Sequence, residues 1–232
     1  MATRIAFFSA SGNLSNAIRV GDGCSLSIDL YTFATPNGRK ISIALEELGL
    51  PYNVHPVHIG RDEQFAPDFL RISPNNKIPA IVDTENGRTM MESGAILLYL
   101  SDKTGQLAGD DPWVTMEWLM LQMASVGPML GQANHFLHFN SGKSEYAEAR
   151  YADEATRLYG VLDRRLGEAA YLAGSYSIAD IATWPWIARW PWHRVDWDQL
   201  PNLRRWYTEI AKRPAVIAGW DVPVAAGEIP LP

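Results

Sequence analysis

The sequence contains little cysteine, no long hydrophobic run and no excess of basic charge. Cys24 is the single cysteine among 232 residues, which excludes an internal disulfide and any metal site built from several cysteines. The uncharged apolar stretches fall short of the ~20 residues that a membrane-spanning helix needs. The apolar run after Arg4 is too short for a secretory signal. Together these absences favour a reducing cytoplasm.

Charge is spread evenly along the chain. There are 20 basic and 26 acidic residues, giving a net charge of −6. Residues 1–102 hold 8 bases and 11 acids, which leaves 12 and 15 for the rest, so each part carries −3. Without a basic half or tail, neither a nucleic acid nor a membrane surface is an expected partner. The sequence also lacks the P-loop, G-x-S-x-G and H-E-x-x-H motifs.

The first part of the chain predicts a small mixed sheet covered by helices. Residues 1–26 show no periodic pattern and are predicted to be an N-terminal extension. A domain spanning residues 27–104 follows, with β-α-β, an irregular segment, and then β-β-α. Its predicted elements are strands at 28–33, 52–58, 78–83 and 89–91 and helices at 39–48 and 93–104, the first closed by Gly49 and the second capped by Ser93.

The second part of the chain is predicted to be entirely helical. Residues 105–112, rich in glycine and aspartate, form the expected linker. The helical domain then spans residues 113–220 and a C-terminal tail spans 221–232. Its predicted helices cover 113–130, 144–168, a segment after the capping box Ser177-Ile178-Ala179-Asp180, and 201–212, the last ending before Pro214.

The turn Thr35-Pro36-Asn37-Gly38 joins the first strand to the first helix. Unpaired N–H groups and the positive end of a helix favour a thiolate or carboxylate nearby. The Thr35 hydroxyl can donate one hydrogen bond and the Asn37 amide two. Together they could stabilise a thiolate and lower its pKa. The alternative is that these residues form only a turn and a helix cap.

Three further segments, combined with this turn, resemble the glutathione transferase superfamily. They are Asn75-Asn76-Lys77-Ile78-Pro79-Ala80, Glu92-Ser93-Gly94-Ala95-Ile96 and the capping box at 177–180. The turn together with segments 69–79 and 127–132 is most similar to the Nu class, which includes bacterial relatives of the yeast nitrogen regulator that forms a prion. The resemblance covers about residues 28–215. It implies a thioredoxin-like α/β domain followed by an all-α domain.

The resemblance also implies where glutathione binds. Ile78 would pair through its backbone with the cysteinyl part of glutathione. The peptide bond between Ile78 and Pro79 would be cis. Glu92 and Ser93 would hold the γ-glutamyl end, and Gln64 and Lys77 match positions that contact the glycyl end. Arg150 matches an arginine that reaches a second glutathione in Nu enzymes.

Each of these residues also has a plain structural alternative. Glu92 could be an exposed acid near a helix start, and Ser93 merely a cap. Lys77 and Arg150 could be solvated charges, and Gln64 carries little information alone. The interpretation depends on the combination of residues.

Residues 35–37 include no cysteine or serine, although many family members activate sulfur with such a residue or a tyrosine near this turn. Cys24 lies eleven residues before Thr35 and is interpreted as an unreactive thiol without a catalytic role. The resemblance therefore implies glutathione-dependent disulfide reduction with two bound glutathiones and no enzyme cysteine. In this mechanism Thr35 and Asn37 stabilise one glutathione thiolate, which attacks the substrate disulfide, and the second glutathione resolves the resulting mixed disulfide. Conjugation of glutathione to an electrophile, cleavage of a thioether, and a non-catalytic regulatory module remain alternatives. A homodimer and a small-molecule disulfide or electrophile as substrate are also implied.

The remaining candidates are interpreted as structural. His135 and His138 lack a carboxylate or cysteine that would complete a metal motif, so no metal is expected and the pair would line the cleft mouth or cap a helix. Met116, Met120, Met123 and Met129 fit core or interface packing. Five of the nine tryptophans lie between Trp184 and Trp197 and are predicted to pack the helical domain, with Trp184, Trp186 and Trp190 on the helix after the capping box.

Overall fold

The structure, a computed structural model, describes residues 27–232. The extension predicted for residues 1–26, and Cys24 within it, lie outside the described residues. The described chain has an α/β half followed by a helical half, as predicted. Among residues 27–232, no helix has both the length and the apolar character required to cross a bilayer.

The α/β half is built on a four-stranded mixed sheet. Its strands lie in the order β2-β1-β3-β4, with β2 parallel to β1 and the other pairs antiparallel. Pro56 ends β2, which is an edge strand, the place in a sheet where proline is tolerated. The elements are β1 Ile28–Thr32, α1 Pro36–Leu48, β2 Tyr52–Pro56, α2 Pro67–Ile72, β3 Ala80–Asp83, β4 Arg88–Met91 and α3 Ser93–Thr104.

The elements of this half differ from the predictions at several points, of which three matter most. Helix α1 begins at Pro36 rather than at residue 39, because Thr35 caps it and proline is well suited to the first helical position. Helix α2 forms in the segment predicted to be irregular. Strand β3 begins at Ala80, two residues later than expected, directly after a cis Ile78–Pro79 bond.

The helical half contains six α-helices within the described residues and two π-helical segments. Residues Pro112–Phe139 are helical without a break, with π-helical turns at Gln122–Val126 and Asn134–Phe139. The helices are α4 Pro112–Leu121, α5 Gly127–Ala133, α6 Glu145–Glu168, α7 Ile178–Ile187, α8 Pro201–Ala211 and α9 Pro214–Trp220.

Two differences here have a physical cause. The helical run continues to Phe139 rather than ending near 130, because Ala133 and Asn134, where α5 passes into the second π-helical turn, both keep helical backbone angles. Pro214 was interpreted as a stop after α8, but it also starts α9, where its missing N–H would be unpaired in any case. The capping box at Ser177 and Asp180 is present as predicted.

The two halves share one hydrophobic core. Leu30, Ile43 and Leu97 from the α/β half belong to the same buried cluster as Leu119 and Trp184 from the helical half. Helix α1 packs directly against both α7 and α9. The N-terminal end of α1 therefore lies at the junction of the two halves.

Gly219 permits the close approach of α9 to α1. A Cβ atom at this position would lie 2.6 Å from the Ile43 backbone nitrogen, and backbone cannot move aside as a flexible side chain can. We expect Gly219→Ala to lower the free energy of unfolding by about 2 kcal/mol, the usual cost of overpacking. Urea denaturation measures this change.

Gly160→Ala on α6 is the matched control. The nearest atom to a Cβ there is the end of the flexible Arg164 side chain, at 3.6 Å. Alanine should therefore stabilise this helix by up to ~1 kcal/mol. Equal effects of the two substitutions would contradict the close packing of α9 on α1.

Candidate active site

The turn between β1 and α1 is held by the Thr35 hydroxyl. Thr35 Oγ1 accepts a hydrogen bond from the Gly38 N–H at 3.2 Å, so the predicted cap is present. A Cβ on Gly38 would lie only 2.1 Å from the Phe33 carbonyl oxygen, so no other residue fits there. Because the cap uses an oxygen lone pair, the Thr35 O–H proton remains available for donation. Capping and thiolate stabilisation are therefore compatible roles.

Asn37 is tied to the helical half by its side chain. The Trp186 indole Nε1 donates a hydrogen bond of 2.9 Å to Asn37 Oδ1. This corrects the interpretation of the tryptophans as packing residues only, because Trp186 on α7 touches a predicted site residue. The prediction that Trp190 lies on the same helix is also wrong, since α7 ends at Ile187.

Ile78 lies at the open end of β3. It is half-buried and precedes Ala80, the first residue of β3 that pairs with β1 and β4. The Ile78–Pro79 bond is cis, as the resemblance implied. Ile78 therefore lies outside the paired register of the sheet, and its side chain packs against the small cluster of Val57, Phe69 and Ala80.

Glu92 and Ser93 lie at the start of α3. Glu92 is exposed and has φ 68° and ψ 112°, a backbone conformation rare for a residue with a side chain. Its carboxylate lies 3.5 Å from the Asn75 amide nitrogen. The prediction that Ser93 caps the helix is wrong, because Ser93 is the first helical residue and its hydroxyl points to Lys40 instead.

Lys40 is a buried cation and was not among the predicted site residues. Its ammonium is 3.3 Å from Ser93 Oγ and 2.6 Å from Gln122 Oε1, with Met123 Sδ at 3.6 Å. The residue is 1% exposed. Burial lowers the pKa of Lys40 to about 7, while the nearby Glu92 carboxylate acts in the opposite direction. Lys40 therefore links the start of α3 to the π-helical turn of the other half.

A signal for Lys40 did exist in the sequence. It lies four residues before Ala44, which belongs to the predicted apolar face of α1. A lysine on such a face is either solvated at its edge or buried with partners, and the partners come from residues 53 and 82 positions away. Met123, interpreted as core or interface packing, is one of the residues around this cation.

Three predicted site residues form no hydrogen bond or ion pair with the cluster of Lys40, Ser93, Gln122 and Met123 in the described structure. Gln64 is half-buried in the short 3₁₀ turn Glu63–Phe65, and its Oε1 has no hydrogen-bond partner among residues 27–232. Lys77 is exposed. Arg150 is exposed on α6 and lines a cavity of about 580 Å³ that none of the other predicted site residues border.

The two histidines lie in the second π-helical turn. His138 stacks on Trp192, with ring centroids 4.1 Å apart, and His135 lies beside the Asn140 amide. Within residues 27–232, no group of three or more His, Cys, Asp or Glu side chains is placed to hold a metal ion.

Family models match both halves of the chain. The model for the N-terminal domain of glutathione S-transferase matches residues 34–103, and the model for the C-terminal domain matches residues 118–214. The chain belongs to the glutathione S-transferase family. The family named on the basis of the sequence motifs is thus confirmed, together with its two-domain fold.

The similar proteins include a disulfide reductase. The disulfide-bond oxidoreductase YfcG of Escherichia coli is 48% identical over 197 residues, covering 81% of this chain and 92% of that protein. A glutathione transferase structure from Pseudomonas putida, with one glutathione disulfide bound per subunit, is 43% identical with a TM-score of 0.80 and covers 85% of this chain and 92% of that one. A structure from Burkholderia graminis, with two glutathione molecules bound per subunit, is 41% identical with a TM-score of 0.80 and covers 85% and 88%.

These findings support a glutathione-dependent enzyme of the transferase superfamily. The candidate site has two parts. The first is a pair of hydrogen-bond donors, Thr35 and Asn37, at the N-terminus of α1. The second is a buried cation, Lys40, beneath Ser93 at the N-terminus of α3. Both parts suit an anionic ligand, because helix N-termini and cations favour negative charge.

Proposed function

We propose that this glutathione S-transferase reduces disulfide bonds with thiols supplied by glutathione. The observation that carries the proposal is the pair Thr35 and Asn37 at the N-terminus of α1, in a segment without cysteine. Two polar donors and a helix N-terminus can hold glutathione sulfur as a thiolate, but they cannot form a mixed disulfide themselves. The similarity to YfcG supports this activity.

The reaction balances without an enzyme thiol. The first glutathione thiolate attacks one sulfur of the substrate disulfide, forms a mixed disulfide and releases the other sulfur as a thiolate that takes up a proton. A second glutathione thiolate then attacks the glutathione sulfur of the mixed disulfide. The products are oxidised glutathione and two substrate thiols, so two glutathiones are oxidised for each disulfide reduced.

Ligand binding is proposed to use the residues named from the sequence. Glu92 and Ser93 hold the γ-glutamyl end, Ile78 pairs with the cysteinyl part, and Gln64 and Lys77 contact the glycyl end. The two glutathiones bound in the Burkholderia graminis structure support a two-glutathione site here, to which Arg150 contributes. The functional unit is proposed to be a homodimer, which sedimentation at micromolar concentration tests.

The donor pair is tested by removing each member. We expect Thr35→Ala and Asn37→Ala each to lower kcat/KM for glutathione-dependent reduction of 2-hydroxyethyl disulfide by about tenfold, because one hydrogen bond to a charged group contributes ~1.5 kcal/mol or more. Turnover is measured by coupling oxidised glutathione to a glutathione reductase. Thr35→Ser, which keeps the hydroxyl, should retain activity close to that of the unmodified protein.

The controls separate this function from its alternatives. Asn53→Ala removes an exposed asparagine far from the turn and should leave turnover unchanged. Conjugation of chlorodinitrobenzene is measured beside disulfide reduction. If conjugation is faster, or if disulfide turnover is absent or indifferent to both substitutions, the proposed reductase function is wrong. Failure to bind glutathione in calorimetry would leave only a non-catalytic module.

A further inference from the structure

The hydrogen bond between Trp186 and Asn37 crosses the two halves of the molecule. The residues are 149 positions apart, and the Nε1–Oδ1 distance is 2.9 Å. Both are half-buried, so the bond lies where water is partly excluded. It ties the indole of α7 to the second residue of α1.

The Trp186 indole is fixed in place by its surroundings. Its ring lies against Gly127 and Gly131 of α5, where a Cβ atom would approach the ring to 3.5 Å and 3.4 Å. Helix α7 is anchored at its start by the capping box of Ser177 and Asp180. Helices α1 and α7 also pack directly against each other. The indole N–H therefore reaches Asn37 from a constrained position.

The chemistry of the two groups decides which way the Asn37 amide faces. An indole N–H can only donate, whereas an asparagine amide has one acceptor oxygen and an NH₂ group with two donors. Trp186 must therefore bond to the oxygen. The two N–H donors of Asn37 are then directed away from Trp186. With the amide rotated by half a turn, its oxygen would face a bound anion and repel it.

We propose that Trp186 is a positioning residue that orients the Asn37 amide so that its N–H groups, and not its oxygen, face the glutathione thiolate. The inference rests on the proposed function, in which Asn37 stabilises that thiolate. Trp186 itself need not touch the sulfur. Its hydrogen bond excludes the rotated orientation of the amide. In that orientation the amide oxygen would face the sulfur and disfavour the charged form of the thiol.

The pKa of the bound glutathione thiol measures this effect directly. Trp186→Phe keeps an aromatic ring and removes the N–H. We expect it to raise the bound thiol pKa by about one unit, which lowers the thiolate fraction by about tenfold at pH values well below that pKa. The thiolate is followed by its ultraviolet absorbance during a pH titration of the complex. Affinity for S-methylglutathione, which has no titrating thiol, should change by less than about twofold.

Trp190→Phe is the matched control. Its indole N–H donates to the Pro230 carbonyl at 3.4 Å, so the substitution removes a comparable bond outside the site. The thiol pKa should be unchanged in this variant. A shift as large as that of Trp186→Phe would mean that any lost indole bond in this half disturbs the site, and would overturn the inference.

A double-mutant cycle tests whether Trp186 acts through Asn37. In an Asn37→Ala background, Trp186→Phe should produce no further rise in the thiol pKa, because the group that it orients is gone. A full additional rise in the thiol pKa would overturn the inference about Trp186 and leave the proposed role of Asn37 intact. If Asn37→Ala itself leaves the thiol pKa unchanged, the proposed role of Asn37 is wrong and this inference fails with it.

Asn37→Asp provides a test that leaves the tryptophan intact. A carboxylate still accepts from the indole but has no N–H to offer the thiolate. The nuclear magnetic resonance signal of the Trp186 indole proton should remain protected from solvent exchange, while the thiol pKa rises at least as much as in Asn37→Ala. Loss of protection in Asn37→Ala, but not in Asn37→Asp, would support the bond. Unchanged protection in both would overturn it.

Discussion

Lys40→Met is expected to weaken glutathione binding by about tenfold to hundredfold. The ammonium lies 3.3 Å from Ser93 Oγ, the hydroxyl proposed to hold the γ-glutamyl end. Because an ammonium only donates, Ser93 must accept from it. The serine O–H donates only a long bond of 3.8 Å to Met123 Sδ, which a carboxylate, as a stronger acceptor, can replace. Removing the cation removes both its charge and this orientation. Hydrogen bonds to charged groups contribute ~1.5–3 kcal/mol, which corresponds to the expected loss.

The pH dependence of binding carries the same signature. The pKa of Lys40 in the free protein is lowered to about 7 by burial, with the Glu92 carboxylate opposing that shift. An anionic ligand binds best to the charged ammonium, which is populated below pH 7 and is lost as the pH rises. Affinity for S-methylglutathione, measured by calorimetry, should therefore fall between pH 6 and pH 9 in the unmodified protein. In Lys40→Met this part of the decline should vanish.

Proton linkage predicts the opposite pH dependence for the stability of the fold. The pKa of Lys40 is about 7 in the folded protein, against a value of 10.5 for an ordinary lysine. Between these values the unfolded chain binds more protons than the folded protein, so the contribution of Lys40 to stability rises with pH. Lys40→Met should abolish this contribution too.

Lys212→Met is the control, since it removes the same charge from an exposed position at the end of α8. Its affinity for S-methylglutathione should match that of the unmodified protein at every pH. If Lys40→Met and Lys212→Met behave alike, Lys40 has no role in binding beyond net charge.

Lys40 and Trp186 together show why neither half of the chain forms the site alone. The ammonium beneath Ser93 is held by Gln122, and the amide of Asn37 is held by Trp186. Both partners belong to the helical half. In each case a donor-only group occupies the acceptor of a site residue, so that the remaining donors are available to an anion. If the proposed site is correct, the relative position of the two halves determines which hydrogen-bond donors of Ser93 and Asn37 face the ligand.

The sequence indicated candidate site residues but not the partners that hold them. Thr35 and Asn37 could be named from turn chemistry, which depends on neighbours within a few positions, and Ser93 from a local motif of the family; their roles stay predictions. Lys40 and Trp186 were missed because their roles depend on residues 82 and 149 positions away, which no local pattern specifies. A fully buried lysine also departs from the usual separation of apolar core from polar surface.

The fold shows the same division between local and tertiary determinants. The capping box at Ser177 and the closing Gly49 were predicted correctly because each is a property of a single helix end. Helix α9 was missed, since Pro214 both ends one helix and starts another. Its place is decided by packing against α1, which requires Gly219.

Asp180→Ala is expected to lower the free energy of unfolding by about 3–5 kcal/mol. The fully buried carboxylate accepts hydrogen bonds from the Leu172 N–H at 3.0 Å and the Trp206 indole at 2.8 Å through one oxygen. The other oxygen accepts from the N–H and hydroxyl of Ser177, at 3.0 Å and 3.1 Å. Alanine would leave these donors buried without a partner, and each such loss is costly. Thermal and urea unfolding measure the change.

Asp111→Ala is the matched control, because Asp111 also caps a helix but is exposed. Its loss should cost only ~1 kcal/mol, since water can replace the carboxylate. The pH profile adds a second criterion. Burial raises the pKa of Asp180 from 3.8 to about 6. The part of the stability that depends on the protonation of Asp180 is therefore fully present below pH 3.8 and declines as the pH rises to about 6. Asp180→Asn should lack this decline. Equal costs for Asp180→Ala and Asp111→Ala would mean that the buried network does not anchor α7, and with it Trp186.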